Sequence, residues 1–270
     1  MQGPDPHAVE QSSDGHDEHV PREPCSHADM AVLSRKAATG SRRHRRVAAL
    51  VRWPVGLAAV SWRYMWRTVP LHRSEVEGDD SDEAPALPER HRDDRVQEVA
   101  DGHGDLLHRR YTVRIGGSAL DARELMADLV RDLNGWFPSG VAVFRRTRGH
   151  PGAIRDGDEF LIRLPGPWDG PVRVVAADDT SFRFATLRGH LEAGQIEFRA
   201  HDEDDGGLVM GIESWARPGD AVSRVLYDTF RAAKEIQLNL WTEVLLRITR
   251  RAGGRPVGGV TVRTRRLAAG

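Results

Sequence analysis

A 270-residue chain with a formal net charge of -1 is long enough for one sizeable domain or two small ones, and its total charge points to no nucleic-acid partner. The single Cys25 excludes a disulfide framework. The charge is segregated, however: residues 1–40 hold seven acids and three bases, 41–73 eight bases and no acid, and 74–105 twelve acids and three bases. Adjacent blocks of opposite sign neutralise each other, within a chain or between chains, before they recruit nucleic acid.

Residues 1–45 form a polar, proline-punctuated tail with too little apolar surface to offset the entropy of ordering, so disorder is expected. Its His16, Asp17, Glu18, His19, Cys25 and His27 fit no closed tetrahedral spacing, and neither a metal nor a cofactor is expected. Positions 1–29 lack the basic start and apolar core of a secretory signal, which makes cytoplasmic residence the expectation.

Within the next segment, 46–74, residues 47–66 are mostly apolar, but Arg52 and Arg63 lie inside the run and Pro54 interrupts it. A central Arg costs about 2.5–3.5 kcal/mol on insertion, which argues against a membrane span. Two readings remain. One is a weak membrane-surface contact through 41–73, with Trp53, Trp62, Tyr64 and Trp66 at the headgroups; the other, which is favoured, is a strap packed on the protein's own domain. Residues 75–105, rich in Asp, Glu and Pro, read as an acidic linker.

The folded domain is expected over 106–252. At 109–115, RRYTVRI alternates with period two, Tyr111, Val113 and Ile115 sharing a face. Leu120, Leu125, Leu129 and Leu133 then predict one helix over 118–136, capped by Asp121 with Glu124 three residues on. Six strands follow at 141–147, 158–164, 171–177, 181–187, 194–200 and 208–216, with separators of the hairpin kind. An amphipathic helix over 219–250 would span roughly 48 Å, and 253–270 reads as a basic tail. This is an α+β reading: a helix-grip fold, with a seven-stranded curved antiparallel sheet wrapped around a long C-terminal helix.

Such a sheet leaves a gap beneath the helix that suits an apolar or amphipathic small molecule. Phe160, Ile162, Phe182, Phe184, Ile196 and Phe198 are its expected lining, with Met210, Ile212, Phe230 and Leu240, and Trp168 on a Pro/Gly loop as lid or plug. Ordinary core is the alternative for all of them. Pairing Ile196 with Ile212 and Phe198 with Met210 turns Glu197, Arg199 and Glu213 to the other, solvated face. The catalytic candidates are weak: Glu197 and Glu213 as a carboxylate pair, and His190 at a hairpin tip as a proton-transfer group. Lys234 reads as a surface helix residue rather than a Schiff-base lysine. No phosphate-cradling glycine motif, nucleophile elbow or zinc-protease motif occurs, so binding is preferred to catalysis.

GDEFLIRLPGPWDGPVRVV, SFRFATLRGHLEAGQIEF and IESWARPGD resemble the bacterial domain of unknown function (DUF) 1990 family, over about 109–250. WRYMWRTVPLHR at 62–73 resembles the amino-terminal extension of actinobacterial relatives, which favours the strap. The resemblance implies membership of the helix-grip START-like (SRPBCC-like) superfamily and supplies no catalytic residue. A cyclase-like enzyme using His190 or Glu197, and a scaffold acting through 41–73, are the rival readings.

Overall fold

The computed structural model describes residues 69–138, 142–163, 169–219 and 231–269, the side chains of 231–237 excepted. The expectations placed on the tail, on most of the strap, on Trp168, on Phe230 and on the Lys234 side chain lie outside these residues.

In chain order the strands are β1 (Leu71–Glu77) and β2 (Leu106–Gly116), followed by helices α1 (Ala122–Arg131) and α2 (Leu133–Trp136). Next come β3 (Val143–Arg148), β4 (Glu159–Arg163), β5 (Asp169–Ala177), β6 (Ser181–Thr186), β7 (Glu192–Asp202) and β8 (Leu208–Pro218). Helix α3 (Arg231–Arg251) and strand β9 (Arg255–Leu267) complete the order. All nine strands join one open sheet, β1-β9-β2-β8-β7-β6-β5-β4-β3. From β2 to α3 the succession of strand, helices, six strands and helix is the α+β order expected.

Among the described residues the strands number nine rather than seven. The additional pair lies in segments read as the end of the strap, the start of the linker and the tail: β9 runs antiparallel to β2, and β1 runs parallel to β9. Without β9, the long strand β2 would expose a row of unpaired backbone groups. Val260 and Val262, buried on the inner face, anchor β9 there. The long helix therefore precedes a strand, and its described 21 residues extend about 32 Å at 1.5 Å per residue.

Asp121 accepts from the Glu124 amide while Glu124 reaches back to the Asp121 amide, a reciprocal cap that starts α1. The single helix expected over 118–136 is two, because Asp132 caps again by accepting from the Gly135 amide. Leu125, Met126 and Leu129 of α1 and Val244, Leu245 and Ile248 of α3 bury against the sheet's inner face in one apolar cluster. The rings of that cluster pack directly: Phe182 stacks on Phe198 at 4.8 Å, and Phe137 meets Phe144 edge-on at 4.8 Å.

The β7–β8 ladder pairs Ile196 with Ser214, Phe198 with Ile212 and Ala200 with Met210, two residues away from the expected register. An even shift keeps every side chain on its face, so the face assignment survives. The slip arises at the turn, where the Glu203 amide donates to the Gly207 carbonyl at 2.7 Å and centres the loop on Asp205 rather than Asp204. Farther along, Gly194 is required by contact, since a Cβ there would lie 1.9 Å from the Trp215 carbonyl oxygen.

The outer face is not simply solvated. Three 3₁₀ turns, Asp80–Asp82, Glu89–His91 and Val99–Asp101, lie in the segment read as linker. Leu87 and Val96 from this segment bury with Val175, Ala185 and Leu187 of the sheet, forming a second, smaller apolar cluster. Residues 78–101 are thus a cover, and the sheet is sandwiched between helices and cover.

Candidate functional site

A pocket of about 280 Å³ lies on the inner face, between β2, β9, β1 and α3. Arg109 and Tyr111 of β2 border it together with Val262 and Thr264 of β9. Arg73, Ser74 and Glu75 of β1 and Leu238 of α3 complete the described border. Strand alternation explains the set: Arg109 and Tyr111 are two apart on β2, and their cross-strand partners on β9 are Thr264 and Val262. Those partners in turn face Glu75 and Arg73 on β1.

Two of the polar groups are buried deeply, Arg109 at 6% and Tyr111 at 1% exposure. Burial pushes the Tyr111 hydroxyl up to about 12, against the opposing charge and hydrogen bond of Arg109. At neutral pH the phenol therefore keeps its proton, accepts from Arg109 and can donate once more. Glu75 reaches Arg266 at 3.7 Å. The arrangement can hold and orient a polar group; a phenol so reluctant to ionise is no neutral-pH base.

The residues expected to line a ligand space occupy a different part of the inner face. Phe160, Phe182, Phe184, Phe198, Met210, Ile212 and Leu240 are buried in the main cluster, with Ile162 and Ile196 packed against it. None of them is among the residues bordering the described pocket.

His190 follows the turn after β6, half-buried, with its ring against Gly170. Its Nδ1 lies within hydrogen-bond reach of both the Glu192 amide, at 2.9 Å, and the Glu192 carbonyl oxygen, at 3.0 Å. Burial pushes its pKa down, outweighing the Glu192 charge. Glu197 instead points to the outer face, where Arg199 lies at 2.6 Å and Arg183 at 4.0 Å. Glu213 stands directly opposite Glu197 in the ladder, and accepts from His108 at 2.6 Å and Arg110 at 2.5 Å. Burial alone would raise the Glu213 carboxyl, but these bonds hold it below its ordinary value. The two carboxylates therefore have separate basic partners, Glu197 with Arg199 and Glu213 with His108 and Arg110.

Sequence reading missed the polar chains beneath the cover. His108 places Nδ1 2.8 Å from Asp82 and Nε2 2.6 Å from Glu213, and its ring stacks on Trp215 at 5.2 Å. Glu159, 3% exposed, takes two bonds from Arg95 and two from Arg173, and Arg173 also donates to Asp93 at 2.8 Å. His91 meets Asp156 at 2.7 Å. Extending the β2 alternation back to Leu106 would have set His108 and Arg110 on the face of Glu213; nothing local to Asp82 or Asp93 announces their partners. Among the described residues, no group of three or more His, Cys, Asp or Glu is placed to hold a metal ion.

Residues 95–252, more than half of the chain, match the family model described as Domain of unknown function (DUF1990). The chain belongs to the DUF1990 family. The DUF1990 match starts inside the cover and stops at the end of α3, so β1 and β9 lie outside it. No curated protein matches the chain. Solved structures similar in part include a hypothetical protein from Helicobacter pylori, with 10% identity, 53% of this chain and 86% of that chain covered, and a TM-score of 0.41. Another, from Thermobifida fusca, has 15% identity, coverages of 54% and 93%, and a TM-score of 0.40. A norcoclaurine synthase point mutant from Thalictrum flavum, in complex with a transition-state analogue, has 9% identity, coverages of 56% and 98%, and a TM-score of 0.41. The strand order of this DUF1990 chain, rather than those overlaps, defines its fold. No described helix is long and apolar enough to cross a membrane.

Proposed function

We propose that this DUF1990 chain binds an amphipathic small molecule in the pocket between α3 and strands β2, β9 and β1. The observation that carries the reading is the pocket itself, where guanidinium and hydroxyl groups converge beside apolar Leu238 and Val262. Ligand sites typically combine apolar walls with a few such polar groups, and about 280 Å³ lies near the lower end of their roughly 300–1,000 Å³ range. The outward, paired Glu197 supports binding over a cyclase-like reaction. A helix-grip START-like assignment of actinobacterial type belongs to the same proposal, supported by the β2-to-α3 order and the Trp-Arg segment at 62–73, and residence in the cytoplasm is proposed with it.

Titration with the fluorescent amphiphile 1-anilinonaphthalene-8-sulfonate tests it. Val262→Trp and Leu238→Trp, each filling the pocket, should weaken binding about tenfold or more, with far-ultraviolet circular dichroism unchanged. Equal binding by the parent and both folded variants would overturn the reading, as would no binding by the parent.

A further inference from the structure

We infer that the pocket takes an uncharged ligand whose polar end is a hydrogen-bond acceptor, such as a ketone or ester carbonyl, and that the Tyr111 hydroxyl recognises that acceptor. The inference rests on the ligand-binding reading above and names the chemistry of the molecule held there. Its starting point is which polar groups of the border are already engaged. Arg109 and Arg73 both have partners, and Glu75 lies 3.7 Å from Arg266. Each charged side chain of the described border is therefore occupied before a ligand arrives.

The hydroxyls are placed differently. Tyr111, 1% exposed, borders the pocket from β2. Arg109 donates to its oxygen, and burial keeps the phenol protonated, so its O–H is a fixed donor. Among the described residues no group accepts that proton. A ligand oxygen set there replaces water and keeps the bond, whereas an apolar group set there strips a buried donor of its partner. Thr264 of β9 stands diagonal to Tyr111 on the same face, since Tyr111 pairs with Val262 and Arg109 with Thr264. Its hydroxyl, which makes no side-chain hydrogen bond among the described residues, is a second donor to the same end of the pocket. Leu238 and Val262 supply the apolar wall along which the rest of the ligand lies. An ionised head group would shed its water in a space whose countercharges are already taken, which works against a carboxylate and an ammonium alike.

The full chain should be titrated calorimetrically with acetophenone, ethylbenzene, benzoate and benzylamine, probes of similar size that present a carbonyl, a methylene, an anion and a cation. Acetophenone should bind about three- to tenfold tighter than its isostere ethylbenzene, the ratio expected of one hydrogen bond, and tighter than either ion. Tyr111→Phe removes only the hydroxyl and should bring acetophenone down to the affinity of ethylbenzene, with ethylbenzene itself unchanged. If that buried change unfolds the protein, the parent's ranking of the four probes decides. Equal affinity of the parent for acetophenone and ethylbenzene, tightest binding of benzoate or benzylamine, or an equal loss of both neutral probes in Tyr111→Phe would overturn the carbonyl assignment and leave the pocket reading standing. No binding of any of the four probes would overturn both.

Discussion

The two faces of the sheet are built from the same strands and held by different physics. On the inner face Phe160, Phe182, Phe184 and Phe198 bury against one another and the helices, a cohesion that depends on area and shape. On the outer face, one residue away in each strand, Glu159, Arg173 and Glu213 are held by directional charge pairs. Burying such groups is tolerable only because nearly every charge finds an opposite charge. Apolar packing forgives a small displacement; a bidentate ion pair does not, so the outer face should be the more brittle to single changes of charge and the more sensitive to pH.

The largest expected effect tests the inner face. Phe198→Ala should cost about 3–5 kcal/mol in urea unfolding, since its ring contacts Phe137, Phe182 and Trp241; a loss below about 1 kcal/mol would show this end of the face to be loosely filled. Next comes Arg173→Met, which strips Glu159 of one of its two main cations and should cost about 3 kcal/mol. Hydrogen exchange should locate the damage in residues 85–98, and a variant with equal protection there would separate cover from network. The smallest effect is Glu213→Gln, about 1–2 kcal/mol at pH 7. Because the folded carboxyl lies below its ordinary value, its stabilisation is fully present above the unfolded pKa of about 4.3 and fades as the pH falls through the folded one. The parent and Glu213→Gln unfolding curves should therefore converge in acid, whereas those of the parent and Phe198→Ala should stay apart; the reverse pattern would erase the contrast between the faces.

Legibility in the sequence followed the same divide. The strands from 106 to 218 and the α1 cap were readable because alternation and capping are local signals. Even the two-residue error in the β7–β8 register left Phe198 and Ile212 on the correct face, because the hydrophobic period fixes parity and the turn fixes register. Strands β1 and β9 were missed because LHRSEVE and RPVGGVTVRTRRL are rich in charge, as margin strands are; the VTV of 260–262 was the one clear trace. The cover looked like linker since its apolar residues are sparse, Leu87 and Val96 among many acids. The pocket was placed among the aromatics because phenylalanines announce an apolar space, while the described pocket rests on an arginine and a tyrosine whose meaning depends on strands nearly two hundred residues apart in the chain, roughly the distance from His72 to Gly258.

The parallel pairing of β1 with β9 has a temporal side. Residues 71–77 take their backbone partners from 260–266, so during synthesis the first strand of the sheet waits for the last one to emerge. Contacts of such long range carry a large loop-closure entropy and form slowly. Until then β2 offers a naked flank on which a neighbouring nascent chain could template, and the hydrophilic make-up of β1 and β9 restrains that hazard. Assembly of the barrier around Arg109 and Tyr111 thus awaits β9, and any ligand held there can bind only a chain in which Arg255–Leu267 has joined the sheet.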